Sequence, residues 1–143
     1  MKTSYLVHLL QYYCPPAIVS IVIFCLCCLI PADDLSEIYW PFFVEKDKAV
    51  HFLMYFGLAG VASFHYIYDK KGHIIVLKLI IFAILVPVLY GGLIEILQSE
   101  YFPGRSGDWY DFLADILGAF ASLPFSLLFR RYLLNREIRK QEL

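Results

Sequence analysis

Residues 74–97 read IIVLKLIIFAILVPVLYGGLIEIL, an apolar run broken only by Lys78 and Glu95. A helix rises about 1.5 Å per residue, so about 20 such residues cross a hydrocarbon core of about 30 Å. This run is long enough. Outward from it lie three more apolar stretches, at 12–30, 49–68 and 109–129, separated by short charged segments. In the first, Pro15 and Pro16 confine clean helix to the residues after them. Backbone polar groups in lipid must be satisfied within the chain, and a barrel would need many alternating strands. The pattern therefore predicts an all-α polytopic membrane protein, a bundle of four transmembrane helices forming one domain over 1–143.

The composition agrees. Of 143 residues 60% are hydrophobic, against about 45–50% in an average soluble domain. Mean hydropathy is +0.65. Such a chain is neither disordered, nor a nucleic-acid-binding tail, nor a disulfide-stapled secreted module. Lys2 precedes the first apolar run, but Ile30-Pro31-Ala32 is a poor cleavage site, so that run reads as a retained anchor. Basic residues set the orientation. With a cytoplasmic N-terminus, the inner side carries nine: Lys2, Lys70, Lys71, Lys78, Arg130, Arg131, Arg136, Arg139 and Lys140. The outer side carries only Lys46, Lys48 and Arg105. Both termini are therefore expected in the cytoplasm of a multi-pass cell-membrane protein, with loops 31–48 and 99–108 outside.

Some residue groups carry little chemistry. Cys25, Cys27 and Cys28 point to different sides of one helix, so their thiols do not converge on a metal, and buried cysteine is simply a small apolar residue. His8, His65 and His73 fall near the inner interface. Tyr39, Trp40, Phe42 and Phe43, with Tyr101, Phe102, Trp109 and Tyr110, read as an outer aromatic belt.

Ionisable residues within the spans are the informative ones, because charge at membrane depth is costly unless paired or near water. Asp47, Lys48, His51 and Tyr55 share one stripe at the start of the second span. Glu95 and Gln98 share a face near the end of the third, after Gly91 and Gly92. Arg105 precedes a further stripe formed by Asp108, Asp111, Asp115 and Gly118. Up-down topology places all three stripes in the outer third of the bundle, so they are expected to face one another. Lys48 and Arg105 are the expected cationic partners of Glu95 and the aspartates.

These residues, Asp47-Lys48-x-x-His51-x-x-x-Tyr55, Glu95-x-x-Gln98 and Arg105-x-x-Asp108-x-x-Asp111-x-x-x-Asp115-x-x-Gly118, resemble the VanZ-like family of small bacterial membrane proteins. The resemblance runs from about residue 31 to 129. Where the family has Asn, this chain has Asp115. The resemblance implies an envelope location and a link to low-level resistance to glycopeptide antibiotics of the teicoplanin type.

Three function classes are open to such a cluster. It could bind an envelope ligand or glycopeptide from outside, the favoured reading. It could serve a membrane-embedded enzyme acting on an envelope lipid or peptidoglycan precursor, with His51 or a carboxylate as base and His51, Glu95, Asp111 and Asp115 holding a divalent ion. No HExxH, GxSxG or phosphate-cradling loop supports that chemistry. Or it could be structural, gluing helices together. The favoured reading calls for the lipid bilayer as partner, for no nucleic acid, and for no cofactor or resident metal.

Overall fold

The computed structural model describes residues 14–30, 45–102 and 107–141. Every regular element among them is helical. We label them α1 (Cys14–Leu29), α2 (Lys46–Asp69), α3 (Val76–Tyr101) and α4 (Trp109–Gln141). Three helices, α2, α3 and α4, are long and apolar enough to cross a membrane, while α1 is apolar but shorter. Lys2, His8, the loop 31–44 with its aromatics, and Arg105 lie outside the described residues.

Proline explains the irregular turns. Pro87 has no N–H for the carbonyl of Ala83, and α3 widens into a π-helical stretch at Ile81–Leu85 immediately before it. A second such stretch, Cys25–Leu29, ends α1 just ahead of Pro31. Pro124 is accommodated inside α4 without a break.

The principal contact is between α2 and α4. Small residues make it possible: Ala59 and Ser63 on α2, with Ala119, Ser122 and Ser126 on α4, are all buried. Gly118 lies directly against the backbone of α2, where a Cβ would run into the carbonyl oxygen of Phe52. Lipid offers no hydrophobic drive between helices, so close approach of small residues and dispersion contacts must hold such a pair. Each of these buried serine hydroxyls donates to a carbonyl of its own helix, so none is left unsatisfied. Edge-to-face packing of Phe56 on Phe125 extends the seam.

Lys71 and Gly72, both at positive φ, turn α2 back towards α3. The Gly72 N–H donates to Ile67 O at 2.9 Å, closing the C-terminal end of α2. Arg130 Nε donates to Gly72 O at 3.0 Å and ties α4 to this turn. Lys70, beside it, is held above its ordinary pKa by the Asp69 carboxylate at 2.6 Å. Outward-facing positions are apolar: Leu77, Leu89, Ile96, Leu117 and Leu128 are all more than half exposed. A belt of that kind suits acyl chains.

Three boundaries differ from the sequence reading by three residues or more, one being the end of α3, at Tyr101 where the apolar pattern stops at residue 97. The apolar pattern starts the second span at residue 49, but α2 begins at Lys46, so Asp47 and Lys48 are helical. It ends the fourth at residue 129, but α4 continues to Gln141. The segment 130–141 holds no Gly or Pro to stop it and is rich in good helix formers. Glu137 and Lys140 pair across one turn at 3.3 Å.

Candidate functional site

The three polar stripes do meet, and they form two layers. In the outer layer Lys48 pairs with Glu45, lies 3.4 Å from Asp108 Oδ2 and 3.7 Å from Asp111 Oδ1. Its ammonium also stands 5.9 Å from the centre of the Tyr110 ring. Asp111 is buried, whereas Asp47, on the same α2 turn as Lys48, is exposed. Asp108 is the last residue before α4 and caps it: its Oδ1 accepts from the Tyr110 N–H at 2.9 Å. That backbone donor, reinforced by Lys48, holds the Asp108 carboxyl below its ordinary pKa.

One turn deeper, His51 Nδ1 is 3.0 Å from Asp115 Oδ1 and 3.7 Å from Glu95 Oε1. His51 is 3% exposed and Asp115 0%. Glycine makes room for this layer. A Cβ on Gly91 would sit 2.7 Å from Asp115 Oδ2 and 3.2 Å from the ring edge of Tyr55. Glu95 is steadied from the other side, its Oε2 accepting from the Asp108 N–H at 2.8 Å. Four buried oxygens in the two layers have no hydrogen-bond partner among the described residues: Tyr55 Oη, Glu95 Oε1, Asp111 Oδ1 and Asp115 Oδ2. Buried polar atoms of this kind are costly, and their concentration in one place needs a reason.

The pairing differs from the sequence expectation in two respects. Glu95 faces His51 rather than Lys48, which pairs with Asp108 and Asp111, as expected of it, and with Glu45; Arg105, the other expected partner, lies outside the described residues. Gln98 turns away from the cluster altogether. Its Nε2 donates to Cys27 O at 2.9 Å, a carbonyl in the last turn of α1, where helices leave acceptors open. Gln98 is thus a tie between α3 and α1. Cys27 and Cys28 pack with Tyr55, Leu58 and Ile94 in the core, and the Cys27 side chain is a hydrogen-bond neighbour of His51.

Beside the inner layer a cleft of about 450 Å³ opens between α3 and α4. Glu95 and Asp108 line it together with Ser99, Gly107, Trp109 and Phe112. Gly107 lies against α3, where a Cβ would be 2.6 Å from Glu95 O. Ser99, Gly107 and Phe112 escape a reading of the sequence. Their only signal is the glycine at 107, which marks close approach of the loop to another backbone.

Two groups could hold a cation, each with ligand atoms all within 4.8 Å of one another: His51, Glu95 and Asp115, and Asp47, His51 and Asp111. No family model matches the chain, and no curated protein or solved structure does either.

Proposed function

We propose that this chain is a VanZ-like protein of the cell membrane, a four-helix bundle with both termini cytoplasmic, whose polar cluster faces outward and binds an envelope ligand. On this reading it contributes to resistance to teicoplanin-type glycopeptides. The cleft between α3 and α4 is the observation that carries it. Its apolar and aromatic walls, from Trp109, Phe112 and Ile96, would hold ligand surface, and its polar groups are few and convergent, as binding sites require. Among the described residues, both charged groups lining it, Glu95 and Asp108, are carboxylates. Such a lining favours a partner rich in N–H donors, such as the amide groups of a peptidoglycan precursor or a glycopeptide, over a phosphate head group. Lys48, the cation that could have favoured an anion, is already committed to Glu45, Asp108 and Asp111.

The test fills the cleft without touching the buried layers. Ser99 is exposed and its hydroxyl bonds only within its own helix turn, to Ile96 O. Ser99→Phe should leave the membrane level and thermal stability of the protein unchanged. Teicoplanin susceptibility of a host that depends on the protein should rise to that of a host lacking it. Full resistance with the cleft filled would refute the reading. Resistance lost only in step with protein level would leave the cluster as structural glue.

A further inference from the structure

We propose that His51, Glu95 and Asp115 form a binding site for a divalent transition-metal ion. The distances suit one. Metal bonds of about 2.0–2.2 Å in tetrahedral geometry separate ligand atoms by about 3.2–3.6 Å. His51 Nδ1 stands 3.0 Å from Asp115 Oδ1 and 3.7 Å from Glu95 Oε1, bracketing that range. One imidazole nitrogen with two carboxylate oxygens is a donor set suited to Zn²⁺ or Mn²⁺.

Charge points the same way. With both carboxylates ionised, even a protonated imidazole would leave one negative charge uncompensated in a buried layer. A divalent ion with a neutral imidazole brings the group to zero. The unpartnered oxygens are a separate sign. Asp115 Oδ2 and Tyr55 Oη belong to residues 0% exposed and have no hydrogen-bond partner among the described residues, and Glu95 Oε1 has none either. An ion would engage Glu95 Oε1 directly. The Tyr55 ring edge and Asp115 Oδ2 both abut Gly91, so the unpartnered oxygens border one small volume.

The outer group of Asp47, His51 and Asp111 is the weaker candidate. Lys48 Nζ already lies 3.7 Å from Asp111 Oδ1 and occupies the cation's place there, and Asp47 is exposed. Metal binding by the inner group does not depend on the identity of the envelope ligand.

The experiment uses the full chain in detergent, stripped with a chelator and dialysed against Zn²⁺ or Mn²⁺ alone, with bound metal read by elemental analysis. Wild type should retain about one ion per chain, and Asp115→Asn and Glu95→Gln should bind at least about tenfold more weakly. Asp47→Asn should bind as wild type does. Should Asp115→Asn fail to fold, Co²⁺ added to stripped wild type decides the matter. Visible absorption bands of a tetrahedral or five-coordinate ion, removed by Zn²⁺, would support the site. Wild type that keeps no ion and gives no Co²⁺ bands would overturn it, as would loss of binding in Asp47→Asn with retention in Asp115→Asn.

Discussion

Gly118 and Gly57 lie on neighbouring helices and should respond to the same substitution in opposite directions. A Cβ on Gly118 would strike the backbone of α2, which cannot swing aside as a side chain can, so Gly118→Ala should cost about 1–3 kcal/mol. At Gly57 a Cβ meets nothing within 4 Å, and Gly57→Ala should stabilise by up to about 1 kcal/mol through helix propensity. Thermal unfolding in detergent checks both; equal effects would mean that the α2–α4 seam is looser than described. Asp108 supplies a pH-dependent case. Its carboxyl is held below the ordinary 3.8, so the stability it confers is present above that value and fades as pH falls through the lowered one. Asp108→Ala should therefore lower the unfolding midpoint at neutral pH, with the gap to wild type closing in strong acid. Asp108→Asn, which keeps a capping oxygen, should lie between. For single residues the sequence is a good guide to which ones gather and a poor one to who pairs with whom. Spacing puts Lys48, His51 and Tyr55 on one face, but which of them reaches Glu95 depends on how far α2 and α3 are staggered, and no local pattern encodes that.

Gln98 shows what the elements ask of a polar residue. It satisfies a carbonyl in the last turn of α1 and so docks α1 on α3. Gln98→Leu should remove a buried hydrogen bond and free the end of α1. With Cys14→Ala and Cys25→Ala in the background, maleimide labelling of the buried Cys27 and Cys28 should then speed up roughly tenfold. An unchanged rate would show that apolar packing alone holds α1. The three long helices are legible from hydropathy because lipid imposes length and apolarity together. The π-helical stretches are not, since Pro87 announces that a bond is lost but not how the backbone absorbs it. Nor is the end of α4, because the apolar pattern reports where a span stops and says nothing of where a helix does.

At the scale of the whole molecule, the proposed orientation rests on the uneven distribution of basic residues. Reporters active only outside the cytoplasm should be active when fused at residue 103 and silent at residue 71 or after residue 136. The opposite pattern would place the cleft and both polar layers on the inner side. The uninterrupted α4 adds a mechanical property. Its 33 residues make a rod about 50 Å long, against about 30 Å of hydrocarbon. About two-fifths of that length exceeds the hydrocarbon thickness, and Arg136, Arg139 and Lys140 lie in its last turns. Asp115 is on the same rod, near the opposite end. No loop interrupts the backbone between them, but Pro124 lies on the way and denies one carbonyl its helical donor, so the rod has a single soft joint between the polar layers and those basic residues.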